Sequence, residues 1–288
     1  MAVSQSRDLG RSKHPRLRLD LTAPDAASKK IDKTLFAAMV VVMDLSDEST
    51  WPSDLLAYLE RHRDLFRAWE EQSQGSPSTV SARDYDQALL GLRPVLNNHA
   101  LHGYHCARLT ASEIQHIRLN GMQLPNGAML RRRIGSIRDD KLIDPEVARH
   151  LMEKNQGDDA NRANRIHFCF FEPHMAGETG INSLLRYWGG EALYNSHDAD
   201  PVRGLVLAKV GIPCLVEADV PIVDLKGIFL DINVSRQFLI WRGLRPLEII
   251  KHSDCAVRPV RSLRRVVQFP ESDFIALTQC ETWETPLT

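Results

Sequence analysis

Apolar residues recur at helical spacing through the first part of the chain. In WPSDLLAYLERHRDLFRAWEE (51–71), Leu55, Leu56, Leu59, Phe66 and Trp69 mark one face, with Ser53 as the expected N-cap. The SQGSPST stretch at 73–79 reads as a loop. Ser81 then caps a second helix with Tyr85, Leu89 and Leu92 inward, expected to stop before Pro94. From about residue 100 the rhythm changes. HGYHCAR (102–108) reads as a strand, and Thr110 with Glu113 forms a T-x-x-E capping box that opens a helix ending at Gly121. Asp144–Pro145 starts another helix, and RIHFCFF (165–171) reads as a buried strand. TGINSLLRYW carries Ile181, Leu184, Leu185 and Trp188 at helical spacing before the Gly189–Gly190 stop, and Asp200–Pro201 opens a short helix ending at Gly211. PCLVEADVPI alternates, with Cys214, Val216, Ala218 and Val220 on one side and Leu215, Glu217 and Asp219 on the other. IFLDINV, QFLIW, LEIIK and VVQF (266–269) read as further strands.

Strands and short helices mix without a βαβ rhythm, so the expected class is α+β. The pattern divides the chain into a flexible basic terminus (1–30), a helical region (31–97) and an α+β domain (98–288). Composition narrows the function classes. A net charge of −1 over 288 residues creates no global attraction to nucleic acid or anionic membrane. The longest apolar run, LFAAMVVVM (35–43), falls well short of the ~20 residues of a membrane span. The start of the chain lacks an apolar signal core, and the five cysteines are scattered, which together lead to the expectation of a cytoplasmic protein. Neither GxGxxG nor GxxxxGK[ST] occurs.

The candidate chemistry concentrates in HGYHCAR. His102 and His105 stand three apart, and on a strand such residues point to opposite sides, which disfavours a shared metal. His167, His174 and His197 complete no HxxxH or HxH set, so no metal is expected. Cys106 as a nucleophile, the basis of a hydrolase reading, needs a base from elsewhere because its neighbour His105 faces away. A third reading is a grip on a charged cofactor. His105 and Arg108 precede a helix N-terminus at once, which suits a pyrophosphate or ribose. Two carboxylate sites also stand out: Glu217 with Asp219 on one strand face, and Glu191 after the glycine pair of RYWGGEALY. Arg131, Arg132 and Arg133, and the RPVRSLRRVV stretch, are basic clusters that suit either phosphates or a solvated face.

YHCARLTASEIQHIRLNGMQL resembles the first motif of the ADP-ribosyltransferase-like superfamily, a strand written roughly HGTR before a short helix ending in Gly-Leu. The likeness is to the RNA 2′-phosphotransferases, the histidine-type poly-ADP-ribosyl enzymes and the nucleic-acid-modifying toxins. RIHFCFF resembles the second motif strand, and SRQFLIWRGLRPLEIIKHS the third, in which a polar residue precedes a strand. The resemblance spans about residues 102–252. It implies a mixed, mostly antiparallel split sheet, NAD as substrate, and transfer of ADP-ribose to a nucleic acid or protein acceptor. His105 would hold the NAD ribose, Arg108 would take the basic position, and His167 the aromatic place of the second motif. Gln237 stands where a catalytic glutamate is usual, and a neutral amide cannot supply that charge. The resemblance therefore leaves open Gln237, Glu191 or Glu217 as the group orienting ribose and acceptor, and a catalytically silent nucleotide- or partner-binding module of the same fold.

Overall fold

The structure is a computed structural model that describes residues 40–77, 79–171, 179–227, 229–244 and 253–269. Strand β1 (Val42–Met43) leads into helices α1 (Ser53–Arg61), α2 (Arg63–Ser73) and α3 (Ala82–Leu96). Strand β2 (Ala100–Leu109) is followed by α4 (Ala111–Asn120), α5 (Gly127–Asp139) and α6 (Pro145–Glu153). Then come β3 (Ile166–Cys169), α7 (Thr179–Arg186), α8 (Glu191–His197), α9 (Arg203–Lys209) and β4 (Ile212–Pro221). Helix α10 (Leu230–Trp241) precedes β5 (Ser253–Ala256) and β6 (Leu263–Gln268). The architecture is α+β.

Four local expectations change. The helix expected over 51–71 is two, broken at His62, and its cap is Pro52, with Ser53 already helical. Helix α3 runs through Pro94 to Leu96. The ring removes one bond to the Leu90 carbonyl, but Leu92 and Leu96 are fully buried on either side, and their packing offsets that loss. IFLDINV and QFLIW are not strands but lie mainly in α10, with Leu230, Val234 and Phe238 recurring every four residues in the core. Short apolar runs carry too little periodicity to separate the two states, and packing against α2 and α3 selects the helix. LEIIK lies outside the described residues.

The sheet order is β5-β3-β2-β4-β6, antiparallel throughout, with β1 added parallel to the start of β2. β2 and β4 pair along their whole length, Ala100 opposite Pro221 to Leu109 opposite Ile212. β2 and β3 pair only at Tyr104–Cys169, so the two strands part beyond it. Alternation sends Leu101, Gly103, Val216, Ala218, Val220 and Phe168 to one face, where they share a core with Leu55, Phe66, Leu92, Val234 and Phe238. A Cβ on Gly103 would lie 3.1 Å from Phe168 and Phe170 and 3.2 Å from Val220, so a side chain here would have to push these neighbours back by a few tenths of an ångström. The opposite face carries Tyr104, Cys106, Cys169 and Leu215 beneath Ile181 and Leu185 of α7. Helices α5, α6, α8 and α9 form a flank with its own core around Trp188, Ile134, Leu151 and Leu207.

One carboxylate joins flank to sheet. Glu113 completes the capping box, its Oε2 accepting from the Thr110 backbone N–H at 2.8 Å, while Thr110 Oγ1 accepts from Glu113 N–H. The same Oε2 accepts from Trp188 Nε1 at 2.9 Å, and Oε1 from Arg133 Nε at 2.6 Å. The Arg133 guanidinium lies 4.9 Å over the Trp188 ring. Burial opposes ionisation of Glu113, but Arg133, Thr110 and Trp188 together outweigh it and hold the carboxyl below its ordinary 4.5. The unfolded carboxyl protonates near 4.5 and the folded one only at lower pH. Its contribution is therefore full above 4.5 and lost as pH falls through the folded value. Glu113→Gln is expected to cost roughly 2–3 kcal/mol at neutral pH and to flatten the acid limb of stability, measured by urea unfolding across that range.

Candidate functional site

His105 stands immediately beyond the single β2–β3 pair, where the strands begin to part. Its Nδ1 lies 2.8 Å from the backbone carbonyl oxygen of His167. A carbonyl oxygen only accepts, so Nδ1 carries the proton in this bond. Desolvation pulls the imidazole down to about 4; the His167 carbonyl works against that, and the charges of His167 and Arg133 add to it. The ring is thus neutral at neutral pH, and Nε2 is left as a bare acceptor. The residue as a whole is half-buried and sits 5.9 Å, centroid to centroid, from Phe168. His167 itself is exposed on β3, so the contact between the two predicted cofactor residues runs through its backbone.

The other predicted residues occupy different places. Arg108 is buried and donates from Nε to the Val210 carbonyl at 2.9 Å, tying the end of β2 to the turn before β4. Glu191 opens α8 in an exposed position, accepting from Arg162 Nε at 3.0 Å and from the Tyr194 hydroxyl at 3.4 Å. Gln237 is buried inside α10, so the expected strand after it is absent and the third-motif arrangement is not reproduced there. The neighbouring Arg236 binds Glu70 of α2 at 2.8 Å, which fixes α10 as a packed helix rather than a sheet edge.

Glu217 is the candidate carboxylate that lies within the sheet. It stands opposite Tyr104 in the β2–β4 register, with Asp219 opposite His102, so both carboxylates do share one face. That face holds a row of charges across β2, β4 and β6, extended by Asp44 just after β1. Asp44 Oδ2 lies 3.6 Å from His102 Nδ1, and His102 Nε2 lies 3.3 Å from Glu217 Oε2. Glu217 Oε1 accepts from Arg265 Nε at 2.7 Å, and Asp219 pairs with Arg264. The His102 ring rests against Tyr104 at 4.6 Å. Bonding to His102 lowers the Asp44 carboxyl from its ordinary value against the opposing effect of burial. Strand alternation directs Glu217 to the face opposite His105. Apart from His105 and the His167 carbonyl, none of these contacts brings two predicted site residues together.

The arrangement decides several smaller questions. Cys106 is buried with Cys169 and Leu215 under α7, on the face of β2 opposite His105, so that neighbouring imidazole does not serve it as a base. Within the basic clusters, Arg131 pairs with Asp158 at 3.6 Å, Arg258 with Asp224 at 3.3 Å, and Arg264 and Arg265 with the β4 carboxylates. Two shallow depressions of about 410 and 350 Å³ lie on the helical flank, and no predicted site residue lines either. Among the described residues, no group of three or more His, Cys, Asp or Glu side chains is disposed to hold a metal ion, and no helix is long and apolar enough to cross a membrane. The sequence did not single out His102 or Arg265 as partners of Glu217, or Asp44 as a partner of His102. Alternation could assign faces within each strand, but only the register sets those faces side by side.

Compared with protein-family models, curated proteins and solved structures, the chain matches none.

The neutral His105 has a measurable consequence. An unfolded chain protonates this ring below its ordinary 6.5, whereas the folded chain resists protonation down to about 4. Its contribution is full above 6.5 and is lost as pH falls from 6.5 towards 4, because the unfolded state binds the proton first. His105→Asn keeps a donor for the His167 carbonyl but cannot titrate. The variant is expected to show a shallower fall in unfolding free energy across that window, measured by denaturant titration at several pH values.

Proposed function

We propose that the chain is an ADP-ribosyltransferase-like protein that binds NAD through His105. The observation that supports this reading most is the contact between two segments 62 residues apart in sequence, bonded from His105 Nδ1 to the His167 carbonyl. These are the segments that resemble the first and second motifs, and they are neighbouring strands. The unit around them is also complete, with β2, the Thr110 cap, α4 and the Gly121 stop in order. A protonated Nδ1 leaves Nε2 to accept a hydrogen bond from a ribose hydroxyl, an uncharged donor that a neutral ring suits. Cleavage of the nicotinamide–ribose bond leaves a cationic sugar that a carboxylate would stabilise. Glu191, exposed at the start of α8, and Glu217 are the charged candidates; Gln237 could contribute only a hydrogen bond. The acceptor would be a nucleic acid or a protein.

A second reading, the catalytically silent module, draws on the same geometry. Gln237 lies within a helix, and Glu217 has His102 and Arg265 on its two oxygens and faces away from His105. In that case NAD or a related nucleotide binds without turnover.

Calorimetry with NAD and a nicotinamide-release assay on the full chain separate these outcomes. Binding is expected in the wild type and a loss of about tenfold or more in His105→Ala, the scale of one well-placed hydrogen bond. Release abolished by Glu191→Gln or Glu217→Gln, with NAD still bound, identifies the transferase carboxylate. Binding without release supports the silent module. Absence of binding overturns both.

A further inference from the structure

A dinucleotide carries a diphosphate as well as a ribose, and the residue first expected to meet it is buried. Arg108 is only 4 % exposed, and its Nε is committed to the Val210 carbonyl. A cation must come from another element. The three arginines of α5 differ in what they face. Arg131 pairs with Asp158, Arg132 is exposed, and Arg133 turns towards the end of β2 to meet Glu113. We propose that Arg133 grips the diphosphate of a dinucleotide whose ribose is held by His105; this deepens, and rests on, the NAD-binding reading.

Three observations carry the assignment. The guanidinium is fixed before any ligand arrives, held edge-on by the 2.6 Å bond from Nε to Glu113 Oε1 and face-on by the Trp188 ring 4.9 Å away. That bond uses Nε, which leaves the Nη1 and Nη2 groups to make the paired donation that suits phosphate oxygens. The side chain is 26 % exposed, so its outer edge reaches solvent although its inner face is covered. Glu113 caps the helix that β2 enters directly, so Arg133 is anchored at the end of the strand that carries His105. The positive charge of Arg133 also bears on the His105 ring. Arg165, the residue before β3, bears instead on Cys255, which is paired with His167 in the β3–β5 register.

The test compares ligands with and without phosphate, using calorimetry on the full chain with NAD, inorganic pyrophosphate and nicotinamide riboside. Arg133→Met is expected to weaken NAD and pyrophosphate about tenfold or more and to leave nicotinamide riboside unchanged. Arg133→Lys should fall between, keeping the charge but losing the two-pronged donor. Because Arg133→Met strands the Glu113 carboxylate, the double variant Glu113→Gln/Arg133→Met is measured beside it, with thermal melts of each. NAD and pyrophosphate bound as tightly by folded Arg133 variants as by the wild type, while His105→Ala loses NAD, would overturn this inference alone. Pyrophosphate binding that depends on Arg133 without any NAD binding would sustain the anion grip and overturn the NAD reading. Failure of the wild type to bind either ligand overturns both.

Discussion

The Glu113 carboxylate is the point on which the two halves of the molecule depend. Three donors from different elements converge on it: the backbone at the end of β2, the guanidinium of α5 and the indole ahead of α8. A carboxylate accepts from several donors at once, and partial burial strengthens each of those bonds relative to water. The sheet and the flank have separate apolar cores, so apolar contact alone does not set their register at this junction. A charged, directional hub does.

The central strand then divides the chemistry by parity. Odd positions of β2 belong to the side with the large core, where Gly103 lets Phe168 and Phe170 close in and His105 occupies the place at which β3 departs. Even positions belong to the side with the charged row from Asp44 to Arg265 and with α7. A histidine in each environment meets a different electrostatic setting. His105 donates to a carbonyl in a desolvated gap, whereas His102 lies between two carboxylates. The two rings are three residues apart in sequence yet cannot serve one ligand from one face.

What the sequence disclosed was local. The T-x-x-E box, Asp144–Pro145, the Gly121 stop and the alternation of β4 each rest on neighbours within a few residues, and each stands in the structure. Helix α10 departs from the strand pattern of its sequence because its apolar run satisfies strand and helix alike until α2 and α3 pack on it. The polar partners were illegible for a different reason. Glu217 meets Arg265 across 48 residues, His105 meets the His167 carbonyl across 62, and Arg133 meets Glu113 across 20. Such pairings follow from register and helix docking, which single-residue types do not encode. The same distance applies to Arg108, whose charge suggested a ligand grip and whose Nε reaches the Val210 carbonyl 102 residues on.

The shared core of the amino-terminal helices and the sheet bears on how the chain can be shortened. Leu55, Phe66 and Leu92 lie in the same apolar cluster as Phe168, Val216 and Val220, with no polar boundary at the change of pattern near residue 97. A fragment begun there would carry a bare sheet face, the kind of contiguous apolar surface that drives self-association. The helices thus cover the apolar face of the sheet, and any expression fragment meant to isolate the strand-rich half has to retain them.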